Sequence, residues 1–227
     1  MKVRVASICL LGLFAATASP ADKSEQAKEA LKALNDFVGQ WKGSGETKSG
    51  KSELWKETAE WAWDLKGAEP SLKFKVEGGK QFSEGTLTYL PDKKKYQLTA
   101  KTADKKEQVY AGEIKAKRLV LTYDDADTKD RYTVEMSTNN DGARFVYNVA
   151  VQKKGVGLSR KLVEVGLSKE GAALAGGKKN ECIITGGLGT IAVSYSGKTY
   201  YFCCTGCRDE FMANPKKYVE EYEKSKK

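Results

Sequence analysis

The stretch Tyr132–Val151, YTVEMSTNNDGARFVYNVAV, contains two runs in which apolar and polar residues alternate. In each run the apolar side chains recur at every second position, so they lie on one face of an extended chain. The segment Asn139–Gly142, between the two runs, has the composition of a turn. The stretch therefore predicts two neighbouring antiparallel strands, each with one buried face.

The same two-residue period continues through the chain on both sides of this stretch. It is present in the segments SLKFKV, TLTY and LVLTY. About ten such segments, separated by turn signals such as Glu77–Gly79 and Pro91–Asp92, occupy residues 37–168. Because closure of a sheet removes unpaired strand edges, this pattern predicts an up-and-down antiparallel barrel. The fold class is therefore mainly β.

The first predicted strand opens with FVGQWKGSGE, which contains Gly39 and Trp41. This segment resembles the Gly-x-Trp opening of lipocalin-like barrels, and it is also similar to that of nitrobindin-like barrels, which bind haem. The resemblance implies a barrel whose interior is a candidate site for a small apolar ligand. Trp61 and Trp63 share one strand face, and we interpret them as barrel core, the alternative being an aromatic wall of a ligand cavity.

Histidine is absent from the chain, and its absence limits the possible chemistry. The iron-binding histidine of the nitrobindin-like barrels has no counterpart, so we expect no haem. Ser-His-Asp and Cys-His catalysis are excluded in the same way. Any metal must be held by thiolate or oxygen, and a non-catalytic protein is favoured over an enzyme, with carboxylate-based catalysis left open.

The N-terminal stretch 1–21 has the composition of a secretory signal peptide. It opens with basic residues, continues as the apolar run Val5–Ala16, and ends in small residues that allow cleavage after Ala18 or Ala21. The run is shorter than the roughly 20 residues of a membrane-spanning helix. We therefore predict a secreted or periplasmic protein, without stable membrane insertion after cleavage, which also removes Cys9.

The chain divides into further segments on either side of the barrel. Helical spacing predicts a lead-in helix over 22–36. Residues 169–180 are rich in glycine, alanine and lysine and predict a linker, which leaves a small second unit over 181–227. The formal net charge of +9 comes mostly from lysines spread along the whole chain. A nucleic-acid surface usually clusters its basic residues, so we expect no nucleic-acid partner.

All cysteines of the predicted mature chain belong to the second unit. They are Cys182, Cys203, Cys204 and Cys207. The segment IAVSYSGKTYYF, which lies between the first two, alternates on both sides of Ser196-Gly197 and predicts a β-hairpin. A helix is predicted to follow, with a break near Asn214-Pro215. Its apolar face is assigned to Phe211, Met212, Tyr218 and Tyr222.

A hairpin brings its two ends together, so this order predicts that three or four sulfur atoms converge. Cys207 lies in the predicted first turn of the helix, where the helix dipole favours a thiolate. Thiolates select soft metal ions such as zinc or copper over hard ions. The segment therefore predicts a small, treble-clef-like metal module of a hairpin and a helix.

The segment VSYSGKTYYFCCTGCRDEFMANPKKYV resembles a YHS domain, of the wider TRASH group. Cys182, Cys203 and Cys207 match the family's cysteine positions. The scaffold positions of the family are matched by Tyr200, Tyr201, Phe202, Phe211, Pro215 and Tyr218. The resemblance implies metal binding, and heavy-metal sensing or trafficking has been proposed for relatives.

The fourth metal ligand is open. A histidine or aspartate often stands near the family's first cysteine, where this chain has Asn180-Glu181. Cys204 is a candidate, although neighbouring residues of a strand point to opposite sides. Two other uses of the cysteines remain: a structural disulfide staple, and a thiol-disulfide oxidoreductase that uses Cys204 and Cys207 of the CTGC segment.

Overall fold

The computed structural model of the chain describes residues 19–67, 69–170 and 180–225. The signal peptide predicted over 1–21 lies outside the described residues up to residue 18, and most of the linker predicted over 169–180 also lies outside them. In the part of the chain that is described, no helix combines the length and apolar character needed to cross a bilayer.

Helix α1, Pro20–Lys32, begins with a complete capping box. The Ser19 hydroxyl accepts a hydrogen bond from the Asp22 backbone N–H, and the Asp22 carboxylate accepts one from the Ser19 N–H. The helix is followed by a 3-10 turn, Asn35–Phe37. Tyr96 of the barrel donates a hydrogen bond to the Ala30 carbonyl, with an O···O distance of 2.7 Å, so the helix is fixed against the barrel.

Ten antiparallel strands form a closed barrel. They are β1 (Gly39–Thr47), β2 (Leu54–Asp64), β3 (Ser71–Glu77), β4 (Phe82–Leu90), β5 (Lys95–Thr102), β6 (Glu107–Lys115), β7 (Arg118–Asp124), β8 (Arg131–Asn139), β9 (Arg144–Gln152) and β10 (Ser159–Lys169). Each strand pairs with its neighbours in sequence, and β10 closes the barrel on β1. The predicted up-and-down antiparallel barrel is confirmed.

The barrel interior is filled by side chains from the inward face of each strand. The Trp61 and Phe74 rings stack with centroids 4.6 Å apart, and Phe37 meets Phe145 edge-on at 4.9 Å. Trp63 is also buried. Together with Trp61 it belongs to one continuous core, which runs from the barrel into the C-terminal unit.

One carboxylate lies inside this apolar interior. Glu57 is buried, and its side chain accepts hydrogen bonds from Trp55 Nε1 at 2.7 Å and from the Tyr147 hydroxyl at 3.1 Å. Burial raises the pKa of Glu57, and the two hydrogen bonds partly oppose this increase.

The C-terminal unit consists of one hairpin and two helices. The elements are β11 (Ile191–Tyr195), β12 (Lys198–Phe202), α2 (Thr205–Ala213) and α3 (Pro215–Ser225). Ser196 and Gly197 have φ angles of 49° and 76°, as a two-residue type I′ turn requires. The mainly β class with a small cysteine-bearing hairpin and helix unit is confirmed.

The apolar face predicted for the C-terminal helices is correct in part. Phe211 and Tyr218 are buried, whereas Met212 is 58% exposed. The buried side of α2 follows Cys207 and Phe211, which lie four residues apart on one helix face. Met212 is one position further round the helix, so its side chain faces outward.

Candidate metal centre

Cys182 stands at the start of a tight turn that folds back beside β12. Its backbone N–H donates a hydrogen bond to the Gly187 carbonyl at 2.8 Å, and its own carbonyl accepts one from the Gly186 N–H at 2.9 Å. Gly186 has a φ angle of +74°, which side-chain-bearing residues rarely adopt. Cys182 forms a parallel bridge with Tyr201, so it lies directly beside the strand that leads to Cys203.

Cys203 and Cys207 flank the junction between β12 and α2. The strand ends at Phe202 and the helix begins at Thr205, which places Cys207 in the first helical turn, as predicted. The sulfur atoms of Cys203 and Cys207 are 3.6 Å apart. Two sulfurs bound to one tetrahedral zinc at about 2.3 Å would lie about 3.8 Å apart. The observed separation therefore fits a shared metal ion.

The sulfur atoms of Cys182, Cys203 and Cys207 lie within 4.8 Å of one another. We call these residues the cysteine trio. Their side chains are withdrawn from solvent, with exposed fractions of 1%, 3% and 0%. All three, like Cys204, are free cysteines in this structure. Three of the four cysteines predicted as metal ligands are thus brought together in one buried cluster.

Thr185 is a member of the site that the sequence analysis missed. Its buried hydroxyl oxygen lies 3.4 Å from the Cys203 sulfur and 3.9 Å from the Cys207 sulfur. A hydroxyl at these distances can donate a hydrogen bond to a thiolate, which stabilises its negative charge. Its position three residues after Cys182 was the available signal, but threonine is not among the usual thiolate-site ligands.

The three thiols influence one another's protonation. Hydrogen bonds from Cys203 and Cys207 lower the pKa of Cys182, helped by the Thr185 hydroxyl and the Ile184 backbone N–H. The pKa values of Cys203 and Cys207 are raised, first by the sulfur contact with Cys182 and also by burial. A metal ion bound to the trio would favour deprotonation of all three thiols.

Cys204 lies outside the trio. Its sulfur is 4.0 Å from the Cys203 sulfur and accepts a hydrogen bond from the Trp63 backbone N–H, with an N···S distance of 3.4 Å. Cys204 therefore contacts both the trio, through Cys203, and the barrel, through Trp63. Contacts with the Cys203 and Cys207 thiols lower the pKa of Cys204, and the Trp63 N–H contributes in the same direction.

Trp63 can contact the C-terminal unit, which contains the candidate metal module, because β2 extends beyond the end of β1. The pairing of these strands begins at Gly39 and Trp61, so the backbone of Trp63 has no partner on β1. The first turn of α2 covers this position. A β-carbon on Gly206 would lie only 1.9 Å from the Trp63 carbonyl oxygen, so this close approach requires glycine.

Asn35, in the turn after α1, forms a second connection between the C-terminal unit and the barrel. Its side-chain nitrogen donates a hydrogen bond to the Thr185 carbonyl at 2.5 Å, and its side-chain oxygen accepts one from Trp63 Nε1 at 3.1 Å. Thr185 belongs to the site and Trp63 to the barrel. One amide therefore fixes both to the N-terminal segment.

A cavity of about 300 Å³ lies between the barrel and the module, and Cys203, Cys204, Trp61 and Lys169 are among its lining residues. Lys169 is 8% exposed, and its ammonium donates a hydrogen bond to the Asp36 carbonyl at 3.2 Å. Burial lowers the pKa of Lys169, while the Asp36 and Cys203 charges oppose this decrease. Its position could not be read from the sequence, where it falls at the start of the predicted linker.

Asn180 and Glu181, which stand near the first cysteine where a histidine or aspartate was considered as a fourth ligand, are not part of the cysteine trio. Asn180 uses its backbone carbonyl to accept a hydrogen bond from the Gly189 N–H at 2.8 Å. Glu181 is exposed and pairs with Leu188 through a backbone bridge. Among the described residues, the group of mutually close candidate donors therefore consists of three sulfur atoms.

Residues 190–222 match the family model of the YHS domain. The matched segment contains Cys203 and Cys207 and begins after Cys182. A comparison with curated proteins gave no significant match.

Fourteen chains of solved structures match the protein. One is the crystal structure of Rv2717c from M. tuberculosis, with 15% sequence identity and a TM-score of 0.40. The match covers 62% of this chain and 97% of that chain. The chain therefore has a C-terminal segment that matches the YHS domain, preceded by a closed ten-stranded antiparallel β-barrel.

Proposed function

We propose that this protein binds one soft metal ion, zinc or copper, through the thiolates of Cys182, Cys203 and Cys207. The observation that carries the proposal is the convergence of three buried sulfurs within 4.8 Å, next to a matched YHS domain. Thiolate is the donor type that zinc and copper(I) prefer, and hard ions such as magnesium prefer oxygen.

The proposed role is metal handling, sensing or scavenging, without catalysis, in a secreted or periplasmic protein. The support for export is the signal-like composition of residues 1–21. In an oxidising compartment thiols are readily converted to disulfides. A metal ion bound to the trio would keep its sulfurs from forming disulfides. In this proposal the thiols therefore stay reduced while the metal ion is bound.

The barrel is proposed to be a platform that positions the metal module. This role is supported by Trp63 and Asn35, which both contact the segment around the cysteine trio. A small apolar ligand inside the barrel is a second use. It would have to displace rings such as the stacked pair Trp61 and Phe74, so we place the platform role first.

A thiol-disulfide oxidoreductase that uses Cys204 and Cys207 is the alternative function. Its support is the position of both residues at the start of α2 and the lowered pKa of Cys204. A redox-active thiolate must also be accessible to its substrate. Cys204 is buried and its sulfur is bound to the barrel backbone, which favours the metal-binding role.

The experiment is a titration of the reduced, full mature chain with zinc and with copper(I), followed by native mass spectrometry. We expect one tightly bound ion in the wild type and its loss in Cys182→Ser. Cys204→Ser is the matched control, because it also removes one thiol of the same segment, and it should retain the ion. Equal loss of metal from both variants, or no binding by the wild type, would overturn the assignment of the trio.

A further inference from the structure

The loop between β9 and β10, residues 153–158, holds two apolar side chains in water. Leu158 is 81% exposed and Val156 is 49% exposed. A β-carbon built on Gly155 or on Gly157 would meet no atom within 4 Å, so the tip of the loop projects from the barrel. Single exposed apolar residues are ordinary on a protein surface, but here two of them share one projecting tip.

The base of this loop is fixed to the neighbouring strand connection. The Asp130 carboxylate, in a side chain that is 5% exposed, accepts hydrogen bonds from Lys153 Nζ at 2.7 Å and from the Lys154 backbone N–H at 3.0 Å. Gln152 Nε2 donates a hydrogen bond to the Val156 carbonyl at 3.2 Å. The loop is thus held in a conformation that keeps its apolar side chains exposed.

Positive charge surrounds the apolar tip. The segment 153–161, KKGVGLSRK, has four basic residues and no acidic residue. Two of the four have acidic partners, since Lys153 pairs with Asp130 and Lys161 pairs with Glu164, both at 2.7 Å. Lys154 and Arg160 are exposed, and neither forms an ion pair with another of the described residues. These two cations therefore favour an anionic partner.

The acidic residues of the adjacent β7–β8 connection have local partners for the most part. Asp124 pairs with Arg131 at 2.7 Å, and Asp125 accepts a hydrogen bond from the Thr128 backbone N–H at 2.8 Å. Asp127 is an exposed acid of this connection. The two unpaired cations of the β9–β10 loop outnumber it, so the charge around the tip stays positive.

The tip lies at the end of the barrel that is remote from the C-terminal unit. Strand β10 runs from this loop to Lys169, which pairs with Trp41 of β1. The C-terminal unit contacts the barrel at that far end, where the Trp63 N–H binds the Cys204 sulfur. A surface that covers the tip would therefore leave the cysteine trio facing away from it.

We propose that the β9–β10 loop is a peripheral membrane contact for bilayers that contain anionic lipid. Val156 and Leu158 insert between the headgroups, while Lys154 and Arg160 bind lipid phosphate groups. Apolar insertion and attraction to anionic lipid are the two contributions that give reversible membrane binding when they act together. A projecting tip fits a deformable lipid surface, and no segment of the chain crosses the bilayer in this arrangement. The inference does not depend on metal binding by the trio.

The test is co-sedimentation of the full mature chain with vesicles of phosphatidylcholine alone and with vesicles that also contain phosphatidylglycerol. We expect binding to the anionic vesicles, which weakens as salt screens the charges. Leu158→Ser should lower the partition coefficient at least about tenfold, because a large apolar side chain no longer leaves water. Val156→Ser should lower it in the same direction. Val109→Ser is its matched control, because Val109 is 45% exposed but lies on β6, on the side wall of the barrel.

The charge contribution is tested with a double variant, Lys154→Gln with Arg160→Gln. Its partition coefficient on anionic vesicles should fall about fivefold for each cation removed. The matched control is Lys93→Gln with Lys117→Gln, which removes two exposed lysines from turns at the other end of the barrel. Circular dichroism checks that each variant is folded.

Insertion is measured separately from adsorption with Leu158→Trp. The four native tryptophans are buried, with exposed fractions of 8% or less, so they report little on the lipid. Lipids with brominated acyl chains should quench the fluorescence of the new tryptophan. The same lipids should leave the wild type and Val109→Trp unquenched.

Three results would overturn the proposal. One is no binding of the wild type to anionic vesicles, and another is equal partition of Leu158→Ser, Val156→Ser and Val109→Ser. The third is binding that depends on Lys154 and Arg160 but not on Leu158, with soluble polyglutamate bound equally well. That result would assign the surface to an acidic protein. Since none of these readouts uses the metal, each would leave the metal-binding proposal intact.

Discussion

The sulfur of Cys204 in the C-terminal module accepts a hydrogen bond from the backbone N–H of Trp63 in the barrel, at 3.4 Å. The two residues are 141 positions apart in the sequence. Trp63 lies where β2 has passed the end of its pairing with β1, so this buried N–H would otherwise lack a strand partner on that side. Cys204 therefore connects the two units of the chain.

Cys204→Ala is expected to destabilise the folded chain without removing the metal. The change leaves the buried Trp63 N–H without an acceptor, which costs about 1–3 kcal/mol. Cys204→Ser retains an acceptor atom and should cost less. Urea unfolding of the metal-free protein, with metal content measured in parallel, tests this expectation. If both variants lose the metal and keep wild-type stability, Cys204 is a ligand rather than a connection to the barrel.

Gly206→Ala should separate the first turn of α2 from β2. The added β-carbon would meet the Trp63 carbonyl oxygen at 1.9 Å, and the backbone must move to relieve this clash. We expect a loss of about 1–3 kcal/mol in the free energy of unfolding. Gly157→Ala is the control, since no atom lies within 4 Å of a β-carbon built there. Equal stability of the two variants would show that the close approach contributes nothing.

Asn35→Ala is expected to loosen the turn that carries Thr185. It removes the hydrogen bonds to the Thr185 carbonyl and from Trp63 Nε1, and leaving buried groups unsatisfied costs about 1–3 kcal/mol. Asn35→Asp retains the acceptor for Trp63, but it places a carboxylate oxygen against the Thr185 carbonyl oxygen, where the Asn35 amide donated. Because two acceptors repel, the aspartate variant should be at least as destabilised as the alanine variant. An aspartate variant as stable as the wild type would contradict the assigned hydrogen bond to Thr185.

Glu57→Gln should change how stability depends on pH. The pKa of Glu57 is raised by burial, so its carboxyl keeps the proton to higher pH in the folded chain than in the unfolded chain. This favours the folded state fully below the ordinary value of about 4.5, and the advantage is lost as pH rises through the raised folded pKa. The variant should lack that loss. Parallel stability curves for both proteins above pH 4.5 would contradict the prediction.

Local sequence patterns were sufficient for the barrel and for the hairpin of the module. The period-two alternation in β8 and β9 depends only on neighbouring residues, and so does the turn at Ser196-Gly197. The convergence of Cys182 with Cys203 and Cys207 also followed from local order, because a hairpin returns the chain to its starting point.

Contacts between the two units could not be obtained in this way. The bond between Trp63 and Cys204 depends on how far β2 extends past β1, which is a property of strand register. The burial of Lys169 likewise depends on a distant segment, because its ammonium lies against the Asp36 carbonyl and the Trp41 ring. Alternation reports which face of a strand is buried, but it carries no information on which distant segment covers a strand end.

The central claim is tested most directly by native mass spectrometry of the mature protein isolated from its own compartment, with a thiol count on the same sample. The account predicts one zinc or copper ion per chain, four reduced cysteines after metal removal, and loss of the ion in Cys182→Ser. A metal-free protein whose mass is lower by two or four hydrogens would contradict it, because the cysteines would then be paired as disulfides.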